Sequence, residues 1–128
     1  MNKLCYMKLH IDEESQIRNI QNEFNEVYPF LKIEFFKDSF TKNKHSQKAE
    51  KINHAEKVKL VGRLNGHHTI DISKQRTVAQ LEEDFKEFLG LKAEVYRKSG
   101  NSWIETSLTD NWTLEQQNSE GEFLSGYN

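Results

Sequence analysis

Cysteine and proline each occur once in this 128-residue chain, at Cys5 and Pro29. A single thiol excludes an internal disulfide and suits a reducing compartment, so a cytoplasmic setting is expected. The lone proline marks one boundary only, because it pushes Tyr28 out of helical geometry. The six glycines are scattered, with no phosphate-cradling cluster among them. No apolar run approaches the ~20 residues of a membrane span, and no N-terminal segment reads as an export signal. Without that signal, the sequon Asn111-Trp112-Thr113 carries no weight. No Gly-x-Ser-x-Gly, paired-acid or Cys/His ligand spacing is present, so no enzyme, cofactor or metal is expected.

Hydrophobic residues make up 35% of the chain, which is low for a globular protein. Much of the polarity is localised. Seven lysines crowd residues 37–59 against Asp38, Glu50 and Glu56, and no apolar period runs through them. A flexible loop is expected there. After Thr106 there is no lysine or arginine, and a frayed acidic tail is expected at about 117–128. The net charge of −2 excludes polyanion binding by bulk attraction. The length fits a single domain, residues 1–128, and no internal repeat is evident.

The clearest stretch is Thr77 to Leu114. Thr77 and Gln80 form a capping-box pattern. Val78, Leu81, Phe85, Phe88 and Leu89 then recur at helical spacing, and Gly90 is a stop signal. Leu91, Ala93 and Val95 alternate with polar residues as a strand does. Ser99-Gly100-Asn101 is turn chemistry, and Trp103 to Thr106 returns as a hairpin partner. Upstream, Lys3 to Ile11 alternates as a first strand. Asp12 or Ser15 can cap a helix carrying Ile17, Ile20, Phe24 and Val27. Leu31, Ile33 and Phe35 mark a second strand, and His67 to Ser73 a short third. A helical turn fits around Ala55 to Leu64, and Thr113 with Gln116 suggests another single turn. The order predicts an α+β fold in which two helices pack on one face of an antiparallel sheet. It matches a ferredoxin-like split βαβ with an extra C-terminal hairpin strand, a ubiquitin-like roll being the alternative.

Candidate chemistry is sparse. His67 and Asp71 share one strand face while His68 points to the other, so the three cannot converge on a metal. Cys5 falls on the core face, where a thiol acts as a small hydrophobe. Any enzymatic site would have to gather His10, His68 or Asp71. The sheet face away from the helices is richer. Strand parity places Tyr6, Lys8 and His10, then Lys32 and Phe36, then Lys92, Tyr96 and Lys98 there. Arg97 and Trp112 extend the candidate surface toward the C-terminal segment. Aromatics interleaved with lysines suit single-stranded nucleic acid, which needs stacking platforms and phosphate-neutralising cations. Glu34, Asp71 and Glu94 on that face oppose it, and favour a protein partner or a second copy of the chain. Trp103 and Trp112 read first as packing residues and then as interface anchors.

The run from Phe88 to Asn118, FLGLKAEVYRKSGNSWIETSLTDNWTLEQQN, resembles a family of short, uncharacterised bacterial proteins. These share F-G-L, R-K-S-G-N, W-x-E-T and T-D-x-W-T-L-E-x-Q-N elements; here Leu89 intervenes before Gly90. The resemblance covers the C-terminal third well and implies a bacterial cytoplasmic protein with no assigned activity. The reading is thus a non-enzymatic interaction module, self-associating or meeting another protein, with nucleic acid as the alternative. Tyr6, Lys8, Lys32, Phe36, Tyr96, Arg97, Lys98 and Trp112 are the candidate binding residues.

Overall fold

A computed structural model describes residues 7–37 and 50–126. Strand β1 (Lys8–Ile11) leads through a turn into helix α1 (Ile17–Val27), followed by strand β2 (Leu31–Phe36). The short helix α2 (Val58–Val61) precedes strand β3 (His68–Asp71), helix α3 (Val78–Leu89) and the hairpin β4 (Lys92–Ser99) and β5 (Ser102–Glu105). A 3-10 turn at Ser107–Thr109 leads to helix α4 (Leu114–Gly126). The class is α+β, and the strands form two antiparallel sheets, β1–β3 and β2–β4–β5. The single sheet expected from the element order is therefore divided. β2 pairs along its whole length with β4, Leu31 opposite Arg97 through Phe36 opposite Lys92, and not with β3.

Local chemistry explains most boundaries. Thr77 Oγ1 accepts from the Gln80 N–H at 3.1 Å, and Gln80 Oε1 accepts from the Thr77 N–H at 2.9 Å, which closes the capping box on α3. Gly90 ends α3 at φ 64°, where a side chain would be strained, with Arg63 packed over it. Gly100 at φ 61° takes the first central position of the two-residue β4–β5 turn. At α1 the cap is Gln16, whose N–H donates to Asn19 Oδ1 at 2.7 Å. Asp12 and Ser15 instead close the preceding turn on each other, with the Asp12 N–H donating to Ser15 Oγ at 3.0 Å.

Expected inward residues meet in one core. Leu9, Ile11 and Ile70 come from the small sheet, with Ile72 just past the end of β3; Leu31, Ile33, Phe35, Ala93 and Val95 come from the large one. Ile17, Ile20 and Phe24 of α1, and Leu81, Phe85 and Leu89 of α3, fill the space between. Phe35 and Phe85 meet edge to face at 4.9 Å. At the end of α1 the buried Tyr28 hydroxyl donates to Ile72 O at 2.7 Å, and burial with nearby carboxylates pushes its pKa upward. Gln21 and Asn25 of α1 donate to the Ile33 and Leu31 carbonyls, so side chains occupy part of the outer edge of β2.

Two expectations about irregular segments need correcting. Residues 38–49 of the lysine-rich loop lie outside the described residues, but the portion from Glu50 to Lys59 is pinned to the fold. Lys37 N–H donates to Glu50 O at 2.9 Å, Ile52 N–H to Phe35 O at 2.8 Å, and Ile52 is buried. The acidic C-terminal segment is not a single turn with a frayed end. Capped by Thr113 and Gln116, it continues as helix through Gly126 and buries Leu114, Gln117 and Gly121 along one stripe.

The chain also repeats itself, which is not apparent from its residues alone. Leu31, Lys32 and Glu34 recur as Leu91, Lys92 and Glu94, offset by 60, and Glu34 lies directly opposite Glu94 in the sheet. Gln16 bridges Lys57 ahead of α1 and α2, and Thr77 bridges Thr113 ahead of α3 and α4. Arg18 N–H reaches His54 O in the first half at 2.8 Å, and Ala79 N–H reaches Asp110 O in the second at 2.8 Å. Two βα units thus face each other about a local twofold through Glu34 and Glu94.

Candidate functional site

Alternation in β4 decides which candidate residues share a surface. Ala93, Val95 and Arg97 project to the side covered by the helices; Lys92, Glu94, Tyr96 and Lys98 project to the other. Register then adds Lys32, Glu34 and Phe36 from β2, with Trp103 and Glu105 from β5. Lys32, Tyr96 and Lys98 are therefore brought together, with Phe36 on the same face two rows further along β2. Trp103, which the sequence reading assigned first to packing, joins them as the centre of the cluster.

The Lys32 ammonium sits 5.5 Å from the Tyr96 ring centroid and 5.3 Å from that of Trp103. Lys98 Nζ lies 5.5 Å from the Trp103 centroid. Both are within cation–π range. The opposed carboxylates Glu34 and Glu94 would repel, and each has compensating partners. Glu34 lies 3.6 Å from Lys32 Nζ and 3.7 Å from Lys51 Nζ, and accepts from Gln21 Nε2 at 3.1 Å. Glu94 lies 3.8 Å from Lys92 Nζ and accepts from the Tyr96 hydroxyl at 3.1 Å. Burial, then the Glu94 carboxylate, pushes the Tyr96 hydroxyl up to about 12. The phenol therefore stays a hydrogen-bond donor across the physiological range.

The remaining candidates separate from this face. Arg97 lies on the covered side because it shares the parity of Val95. Its Nη1 donates to Gln117 Oε1 of α4 at 2.8 Å, and its guanidinium stacks 5.4 Å from the Trp112 centroid. Arg97 and Trp112 thus hold α4 onto the sheet and are not part of the outer surface. Lys8 is exposed on the separate small sheet, opposite Asp71. Tyr6 lies outside the described residues. His68 packs against Phe88 at 4.6 Å and His67 against His10 at 5.8 Å, so His67, His68 and Asp71 do not assemble. Among the described residues no three His, Cys, Asp or Glu side chains converge as metal ligands.

Sequence reasoning missed a cleft of about 490 Å³ between α3, the first half of β4 and the turn at residues 105–110. It opens because β5 stops at Glu105, leaving Lys92 to Val95 without a β5 partner. Glu82 faces it, with Glu94, Glu105 and Asp110 among its lining. Desolvation by burial raises the Glu82 pKa to about 7, with Asp110 and Glu94 adding to the rise and the Val95 N–H opposing it. The folded state therefore holds a proton that the unfolded chain releases at lower pH. Stability contributed by protonated Glu82 is present below the ordinary glutamate pKa and is lost as pH rises through about 7. Discounted for solvent screening, the loss is about 1–2 kcal/mol. Glu82→Gln should match the wild type near pH 4.5 and be more stable at pH 8, as measured by urea unfolding at both values. Equal stability of the two proteins at pH 8 would show that the carboxylate ionises normally.

Among the described residues, no helix is long and apolar enough to cross a membrane. Comparison with family models, curated proteins and solved structures finds no match to the chain.

Proposed function

We propose that the chain is a non-enzymatic interaction module whose outer sheet face binds a protein, and that the partner fitting that face best is a second copy of itself. The observation carrying this is the arrangement of charges around Trp103. Along the strands, a row containing Lys32 and Tyr96 is followed by the Glu34 and Glu94 row, and then by Phe36 and Lys92. With a twofold axis in the interface plane, running between the first two rows and parallel to them, Lys32 of each copy comes opposite Glu34 of the other. That is the self-complementarity an isologous interface requires. Trp103 and Tyr96 supply the large, stiff surfaces that anchor such contacts. The family resemblance at Phe88 to Asn118 supports reading the chain as a bacterial protein, and the single cysteine supports a cytoplasmic one.

Sedimentation equilibrium tests it. The wild type should dimerise, Trp103→Ala combined with Lys32→Glu should be monomeric, and Lys32→Glu with Glu34→Lys should recover association. A monomeric wild type across the micromolar range removes self-association. The interleaving of Lys32, Tyr96, Trp103 and Lys98 favours single-stranded nucleic acid as a second reading. Its rings, however, already face lysines, and three glutamates share the surface. Oligonucleotide retention that falls steeply between two salt concentrations would favour this second reading.

A further inference from the structure

His10 and His67 come from opposite ends of the first 67 residues and meet on the small sheet. In the β1–β3 register His10 lies opposite Thr69, and alternation places His67 on the same side as Thr69. The two rings are exposed and stacked, with centroids 5.8 Å apart and planes inclined by 24°. Two imidazoles sharing one ion at metal–nitrogen distances of about 2.0–2.1 Å hold their centroids roughly 5–6 Å apart. The observed spacing falls within that range, so rotation of the two side chains, without moving either strand, would turn both rings onto one ion.

We propose that His10 and His67 form a two-imidazole site for a divalent transition-metal ion on the outer face of the β1–β3 sheet. The surrounding charge is mixed but permissive. Glu13 Oε2 accepts from the Gly66 N–H at 3.1 Å, which fixes a carboxylate beside the residue preceding His67. On the strand face itself, Lys8 is opposed by Asp71, whose pKa is held down by hydrogen bonds from Ser73 and by nearby Arg76 and Lys8, against the effect of its own burial. No third ligand from the described residues converges on the pair, so water completes the coordination shell, as in an open site. Imidazole donors select late first-row ions, in the order Co²⁺, Ni²⁺, Cu²⁺, and exclude Mg²⁺. The site is independent of the sheet face carrying Trp103.

Calorimetric titration of the full chain with Ni²⁺ tests the assignment, with Mg²⁺ as the hard-ion control. One saturable site per chain is expected with Ni²⁺ and none with Mg²⁺. His10→Ala and His67→Ala should each weaken it by about tenfold or more, since one imidazole cannot chelate. His54→Ala and His68→Ala should leave it unchanged. With Zn²⁺, the imidazole resonances of His10 and His67 should shift together. Absence of saturation, an unaltered titration in either His10→Ala or His67→Ala, or equal weakening by His54→Ala, overturns the proposal. Both rings are exposed, so a circular dichroism spectrum matching the wild type is expected of either variant.

Discussion

Phe85→Ala is expected to lower the unfolding free energy by about 3–5 kcal/mol, the cost of losing a buried aromatic and leaving a cavity. Phe85 is fully buried on α3, where it faces Phe35 of β2 edge to face at 4.9 Å. It thus couples the helix of the second half to a strand of the first. The cavity cannot easily collapse, because Ile33, Val95 and Leu81 are themselves held by sheet register and helix geometry. A domain of this size has about 5–15 kcal/mol in all, so the variant should melt roughly 10–20 °C lower. Phe88→Ala is the matched control. Phe88 is 47% exposed although three positions along the same helix, and its loss should cost much less. Urea unfolding of both variants checks the ranking. Equal losses would mean that α3 is rotated relative to the core described here.

Gln117→Leu is expected to cost about 2–4 kcal/mol, despite replacing a polar side chain in the interior with an apolar one of similar size. Gln117 is fully buried, and its amide is saturated. Nε2 donates to Thr109 O at 2.7 Å and to Thr109 Oγ1 at 3.0 Å, while Oε1 accepts from Arg97 Nη1 at 2.8 Å. Leucine would strand the Arg97 guanidinium beside Trp112 without its neutral acceptor, and leave the Thr109 carbonyl without its donor. Removing both partners is different. Arg97→Met together with Gln117→Leu should recover much of the loss, because no unpaired charge remains. A double-mutant cycle measures this, with hydrogen exchange of the α4 amides locating the damage. If Gln117→Leu leaves α4 protection unchanged, the Arg97–Gln117–Thr109 chain does not hold the helix.

The same contacts explain which parts of the fold were legible in the residues. α3 was legible because its cap, apolar stripe and glycine stop are all local features. α4 was not, because its buried stripe is Leu114, Gln117 and Gly121. A glutamine and a glycine look solvent-exposed until the surface they meet is known. Gly121 fits because a Cβ there would lie 2.9 Å from the Phe30 Cβ and 3.0 Å from its carbonyl oxygen. Similarly, Arg97 reads as one more exposed cation until strand parity and α4 together turn it inward. Trp103 belonged to the outer cluster by the same parity rule, but only the hairpin register sets it opposite Lys98 and close to Lys32.

Local periodicity by itself determined the α+β class, the existence of α1, α3, β2 and the β4–β5 hairpin, and the set of side chains that enter the core. It did so because spacings of two and of three to four residues are geometric properties of strands and helices. Tertiary structure alone decided that β2 pairs with β4, that the two halves repeat about Glu34 and Glu94, and that His10 meets His67. Pairing between residues sixty positions apart depends on which apolar faces fit together, a property that no short window of the chain contains.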